Sequence, residues 1–303
     1  MSVGLALKEG NTVYVQRPGI ELIRGAIDMH VHAGPDVVPR LGDCIELAEE
    51  FKAAGAKGFV FKSHTVPTAP IATLARKIVP EVEVIGSLVL NSAVGGLNPA
   101  AVETSLKFGA KVIWMPTNSA KNHIEYYATH THPLGFGGQQ ERGITIVEKN
   151  GRLLEEVKII LKQITDAKAV LATSHLSIPE IKLLVREATK IGVESIIITH
   201  PLEGMTKMSL EDQKEMVSLG AYLEHTLLSQ MPIWRVTSPA EVYKVIKTTG
   251  AEHNILTTDF GQIHHPSPVE GLRIFARSMV ELGTSEEDVR KMMCDNPRKL
   301  LKL

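Results

Sequence analysis

Short apolar runs alternate with longer amphipathic stretches along most of the chain. The runs cover residues 25–32 (GAIDMHVH), 56–64 (AKGFVFKSH), 82–91, 110–117, 169–176, 194–201, 221–228 and 253–260. Their length and their richness in Val, Ile and Leu suit strands buried on both faces of a parallel sheet. Helical patterns fill most of the gaps. Residues 43–58 set Ile45, Leu47, Ala48 and Phe51 at helical spacing, with Gly55 as the stop. Residues 177–192 open on Ser177 as a cap, carry Pro179 in the first turn and end on Gly192. Residues 209–220 and 238–250 repeat that grammar.

Strands alternating with helices predict βαβ units, and eight such units close a (β/α)8 TIM barrel. The rival is an open doubly wound sheet, which calls for a phosphate-binding glycine loop after the first strand. Residues 30–40, HVHAGPDVVPR, are no such loop. The expected organisation is a single α/β barrel domain over residues 1–303. Residues 1–24 form a short N-terminal appendage, an extra strand or hairpin. Residues 118–150, rich in Gly, His and Tyr, are an insertion after the fourth strand that forms a loop or lid.

Composition narrows the partners. The formal net charge is −1, so neither nucleic acid nor an anionic membrane surface is expected. No run approaches the roughly 20 apolar residues of a membrane span. The start of the chain shows no basic segment followed by an apolar block, and Cys44 and Cys294 are the only cysteines. Together these predict a cytoplasmic protein with reduced thiols. The expected partner is a small-molecule substrate. A homo-oligomer stays open, with residues 1–24 and 118–150 as its candidate contacts.

The chemistry lies in the 12 histidines. By these strand boundaries only His253 begins a strand; the other eleven sit at strand C-terminal ends or in the loops beyond them. In a barrel those positions share one rim, the rim that carries the active site. Alternation along the first strand places Asp28, His30 and His32 on one face. Two imidazoles about 6–7 Å apart along a strand can close on one ion at about 2.0–2.1 Å per ligand. Asp28, one step deeper, is placed to accept the other ring N–H of a histidine and fix its tautomer. His175 ends the fifth strand, His200 the sixth and Asp259 the eighth. Imidazole and carboxylate ligands suit Zn first, then Fe, Mn, Ni or Co.

The sequence IDMHVH, with SH on the fifth strand, THP on the sixth, TD on the eighth and the closing CDNPRKLLKL, resembles the amidohydrolase superfamily of metal-dependent hydrolases over nearly the whole chain. The resemblance implies a (β/α)8 barrel holding one or two divalent ions, with His30, His32, His175, His200 and Asp259 as the metal site. Two-ion members often bridge the ions with a carboxylated lysine from the fourth strand. Here that strand reads VIWMPTNSA and offers neither Lys nor Glu at its end. Lys62, on the second strand in VFKSH, is the candidate bridge, and the number of ions stays open between one and two.

The expected activity is hydrolysis of an amide, lactone or other ester bond by metal-activated water. Asp259 acts as general base and then acid, and His200 stabilises the developing oxyanion or holds a second ion. His64, His225, Arg142 and His264 are the candidate substrate-binding residues; Lys62, His123, His130, His132 and His265 also fall near the mouth. A rim this basic points to an anionic substrate such as a carboxylate. Glu224 and His225 face opposite sides of the seventh strand, so at most one meets the cavity. The alternatives are a metal-dependent lyase, such as a decarboxylase, on the same scaffold and a non-catalytic ligand-binding barrel. A PHP-type phosphoesterase ranks behind them. It closes with an Asp-x-His pair, where this chain has TDFGQIHH.

Overall fold

The structure is a computed structural model that describes residues 6–8, 12–14, 18–132 and 142–303. Two short strands, β1 (Ala6–Lys8) and β2 (Thr12–Tyr14), pair antiparallel. Eight strands then follow among the described residues. They are β3 (Ile27–His32), β4 (Gly58–Lys62), β5 (Glu83–Val89), β6 (Val112–Trp114), β7 (Val170–Ala172), β8 (Ser195–Ile198), β9 (Tyr222–Thr226) and β10 (Asn254–Thr257). All neighbours pair in parallel and in chain order. Each lies within one of the eight apolar runs.

The ring closes between β3 and β10, just past the end of the last strand. Val31 bridges Phe260 in parallel, and the His32 N–H donates to the Phe260 carbonyl at 2.8 Å. The Asp259 N–H donates to the His30 carbonyl at 2.9 Å. Gly261 makes this approach sterically feasible: a Cβ there would stand 1.7 Å from the His32 carbonyl oxygen. The fold is a (β/α)8 TIM barrel.

Helices cover the outside: α1 (Cys44–Ala53), α2 (Ala69–Ile78), α3 (Pro99–Lys107), α4 (Lys121–Tyr127), α5 (Glu155–Asp166), α6 (Ile178–Ile191), α7 (Leu210–Ser218), α8 (Pro239–Thr249), α9 (Pro268–Glu281), α10 (Glu286–Arg290) and α11 (Asn296–Leu301). The caps read from the sequence at Ser177 and Ser238 form, and Asp43 adds another. Asp43–Glu46, Ser177–Glu180 and Ser238–Glu241 are reciprocal capping boxes, and such a cap is typically worth about 1 kcal/mol. Apolar layers such as Leu47, Phe51, Phe59 and Phe61 fill the space between strands and helices. Ile27, Met29, Val60, Ile85, Val112 and Trp114 form a separate cluster that also takes in Leu300 and Leu301 of α11.

The insertion contains α4, tied down by a bridge between Ala120 and Ile144; its residues 133–141 lie outside the described residues. Cys44 and Cys294 are both free and buried. Among the described residues no helix is long and apolar enough to cross a membrane.

Candidate metal centre

The carboxyl ends of the strands carry the site, and the backbone there is unusual. Ser174, His200 and Asp259, just beyond β7, β8 and β10, have φ of 54°, 29° and 58°. Non-glycine residues held in that region cost about 1–3 kcal/mol each and cluster at functional sites. The first strand carries its own irregularity, a register shift against β4 between Asp28 and Val31. An extra residue resets the alternation of faces.

That shift corrects the expectation for Asp28, which lies on a different face from the two histidines. Its carboxylate accepts from the Thr257 hydroxyl, from the Thr258 N–H at 3.1 Å and hydroxyl at 2.6 Å, and from the His30 N–H at 3.1 Å. Asp28 therefore ties the first strand to the last and holds no histidine ring. The acid beside His30 is instead Glu224, whose Oε1 stands 3.3 Å from His30 Nδ1. Of the pair on β9, Glu224 is the one that meets the histidine cluster.

His30, His32 and Asp259 form one buried group whose ligand atoms all lie within 4.8 Å of one another. Nε2 of His30 is 3.0 Å and Nε2 of His32 3.1 Å from the same atom, Asp259 Oδ1. Burial opposes ionisation of Asp259, but His30 and His32 hold its carboxyl well below the usual range. For His30, burial works against the proton, yet Asp259 and Glu224 raise its pKa. Burial, with Arg40 nearby, drops His32 to about 3.

Lys62 is fully enclosed, 1% exposed, with Nζ 2.8 Å from His30 Nε2 and 4.4 Å from the centre of the Trp114 ring. Burial lowers its pKa against the pull of Asp259, Glu224 and Glu203. Trp114 ends the fourth barrel strand and packs on His30, ring centres 4.7 Å apart.

His175 and His200 stand beside this group. Their rings are 5.0 Å apart, and His200 lies 6.3 Å from the His30 ring. Burial, chiefly, leaves both neutral: His200 falls to about 3 and His175 well below its ordinary value. Glu203, outside the sequence-derived set, and His123, expected near the mouth, join them. Glu203 Oε2 is 3.7 Å from His200 Nδ1, and burial together with Asp259 pushes its carboxyl up to about 8. His123 of α4 meets His175, Nδ1 to Nδ1, at 2.9 Å.

The proposed substrate residues scatter more. The His64 ring stacks on His32 with centres 4.8 Å apart, and its Nδ1 pairs with the Thr117 hydroxyl at 2.9 Å. Arg142 and His264 are exposed, and among the described residues no contact places either on the cluster. His225 points away from the mouth: its Nε2 pairs with Asn254 Oδ1, at the start of β10, at 2.7 Å. Alternation along β9 forces this, because Glu224 takes the interior position. The expected rim of eleven histidines thus loses one.

The residues fit a divalent ion. Two imidazole lone pairs and a carboxylate oxygen converge on one point, which is mutually repulsive unless a cation or proton lies between them. Around that point His30 Nδ1, His32 Nδ1, both Glu224 oxygens and Glu203 Oε2 are buried without a hydrogen-bond partner. Orphaned polar atoms of this density are costly in a dry interior, and a bound cation compensates them.

Solved structures share this architecture. An amidohydrolase from Pseudomonas aeruginosa matches with a TM-score of 0.62 at 14% identity, covering 94% of this chain and 98% of that one. An organophosphorus hydrolase mutant from Deinococcus radiodurans matches at TM-score 0.57 and 14% identity, covering 92% and 94%. A probable 2-pyrone-4,6-dicarboxylic acid hydrolase from Acinetobacter baumannii, with citric acid bound, matches at 0.58 and 12%, covering 92% and 100%. Likeness at such identities establishes the fold. Among curated proteins none matches this sequence. The model of a family of unknown function, DUF6282, matches residues 25–224, most of the barrel, and the chain belongs to that family.

Proposed function

We propose that the chain is a metal-dependent hydrolase of small, anionic substrates, cleaving an amide, lactone or other ester bond. One observation carries the reading: the convergence of His30 Nε2 and His32 Nε2 on Asp259 Oδ1 inside a buried, strained strand-end cluster. His30, His32 and Asp259 would hold the ion, with His175 and His200 beside them; zinc suits this donor set first. When bound, a divalent ion there acidifies water and polarises a carbonyl oxygen.

The chain's own residues supply the rest. The Asp259 carboxylate, kept ionised by the two histidines, accepts the proton of the attacking water and returns it to the leaving group. His200, beyond β8, would stabilise the oxygen on which negative charge develops if one ion is held, and would bind the second if two are held. Glu224 faces Nδ1 of His30 and so keeps Nε2 directed at Asp259. Lys62 and Arg40 supply the positive groups nearest the ligand histidines; Arg40 is paired with Asp36 at 2.7 Å. That field favours an anionic substrate, and a dicarboxylate hydrolase with citric acid bound shares the fold. The test is metal analysis of the purified protein, followed by assay of an amide, lactone and phosphoester panel before and after chelation. Turnover that needs the ion supports the reading; metal-free protein that stays inert after reloading across carboxylate-bearing substrates refutes it.

A further inference from the structure

The two stacked histidines at the mouth are bonded differently. His32 turns its Nε2 towards Asp259 Oδ1 at 3.1 Å. The half-buried His64 ring, 4.8 Å from it and 27° from parallel, turns its Nδ1 to the Thr117 hydroxyl at 2.9 Å. Which nitrogen of His64 carries the proton follows from the neighbours. Asn91 is buried, and its Oδ1 accepts from the Thr117 N–H at 2.8 Å and the Ser119 N–H at 3.3 Å. Its amide nitrogen therefore faces the other way, donating to the His64 carbonyl at 3.1 Å and to Thr117 Oγ1 at 2.7 Å. These bonds tie together the segments that follow β4, β5 and β6.

Thr117 is fully buried, and its hydroxyl already accepts from Asn91. Among the described residues His64 Nδ1 is the one acceptor left for the hydroxyl's own proton. Were Nδ1 protonated instead, that O–H would be stranded, at a cost of about 1–3 kcal/mol. Nδ1 is therefore the acceptor, and the ring proton sits on Nε2. A protonated nitrogen offers an ion no lone pair, and the convergence of His30, His32 and Asp259 leaves His64 out. Among the described residues the His64 Nε2–H meets no acceptor, yet it is not one of the partnerless polar atoms sealed from solvent. Lys62 and Arg40 act on the ring, while the Asp259 carboxylate is engaged by His30 and His32. The acceptor this N–H lacks must come from the substrate, and an oxygen bearing negative charge suits it best.

We propose that His64, locked as an Nε2–H donor by Asn91 and Thr117, holds a carboxylate oxygen of the substrate beside the His30–His32–Asp259 group. This assignment deepens the anionic-substrate reading above and rests on it. Its test uses no turnover. The protein is labelled with nitrogen-15 histidine, and long-range proton–nitrogen correlations are assigned through His64→Gln. They are expected to show His64 Nδ1 unprotonated and Nε2 protonated, with the Nε2–H resonance shifting when glutarate is added. Calorimetry is expected to find glutarate binding weakened roughly 10–100-fold in His64→Phe, the span of a lost hydrogen bond to a charged group. Phe keeps a ring to stack on His32 but has no donor. His64→Gln returns an amide N–H near the place of Nε2 and should recover most of the loss, which a merely structural role would not predict. Circular dichroism confirms the fold, and should His64→Phe not fold, the tautomer and the glutarate shift in wild type still decide. A proton on Nδ1, or glutarate that binds all three proteins alike or none of them, overturns the assignment. Wild type that binds glutarate as expected but hydrolyses nothing in the substrate panel keeps the assignment and refutes the hydrolase reading alone.

Discussion

His30 on the first barrel strand and Asp259 beyond the last meet at 3.0 Å, Nε2 to Oδ1. The same two residues also share a backbone bond, from the Asp259 N–H to the His30 carbonyl. The seam that closes the ring is therefore the seam that builds the site. Replacing Asp259 by Asn keeps the shape and the backbone bond and removes the charge. Turnover is expected to fall by about 10²–10⁴, the span of a lost general base, with the far-ultraviolet dichroism unchanged. Wild-type turnover in that variant would remove Asp259 from the chemistry.

Glu224 gives a subtler prediction. It is fully buried, and both its oxygens lack hydrogen-bond partners although Oε1 is 3.3 Å from His30 Nδ1. An acid in that position fixes the tautomer and aim of a ligating histidine. Glu224→Gln should weaken metal affinity by roughly 10–100-fold while kcat of the fully loaded enzyme changes less. Competition against a chromophoric chelator reads the affinity. An unchanged dissociation constant means that Glu224 does not position His30.

Asp28 is assigned to stability. Four donors, from His30, Thr257 and Thr258, converge on one buried carboxylate. Asp28→Ala strands them, and each buried unsatisfied group costs about 1–3 kcal/mol. A loss of at least ~3 kcal/mol in urea unfolding is expected from these groups together, larger than for Glu224→Gln. Near-wild-type stability would show that water or a rearranged strand satisfies these donors.

Both thiols should be inert in the native state. Burial, helped by Asp43, pushes Cys44 up to about 11, and burial also raises Cys294. Each thiol thus stays protonated below pH 9, and only the thiolate is nucleophilic. Alkylation at pH 8 should be slow in native protein and complete within minutes in denaturant. Fast native labelling of one cysteine would mean that its helix opens locally.

The eight strands were legible because each is apolar on both faces and bounded by turn residues, a pattern with few competing readings. His30, His32 and Asp259 were legible because they end such strands. Asp28 was misread because strict alternation was assumed, and the register shift before Val31 leaves no composition signal. The choice between Glu224 and His225 was open for a related reason: alternation shows that they differ in face but not which face is inward. Glu203 has no signal in the sequence, and His123 is legible only as a residue near the mouth, not as the partner of His175. Both lie outside strands, three residues past His200 and within an insertion, so only the packing of loops on one another brings them to the cluster. His64 was read as a substrate group from its strand-end position, and its stacking on His32 places it beside the ligands.

Metal removal supplies the broadest test. With no cation present, Asp259 and Glu224 share a dry cavity with Lys62 and two histidines, and several of these polar atoms have no partner. The unfolded chain cannot assemble ligands that lie more than two hundred residues apart, from His30 to Asp259. An ion that binds the folded state alone adds about 2.7 kcal/mol when it is present at one hundred times its dissociation constant. For a chain of this size that corresponds to a rise of roughly 5 °C in melting temperature. Chelated protein should therefore melt lower, zinc should restore the transition, and magnesium should not, because it prefers a shell of oxygen ligands. In Asp259→Asn the zinc-dependent rise should shrink, since one of the converging donors has lost its charge. Equal melting temperatures for chelated and zinc-loaded wild type, with metal content verified, would mean that the convergence of these side chains is held by protons alone.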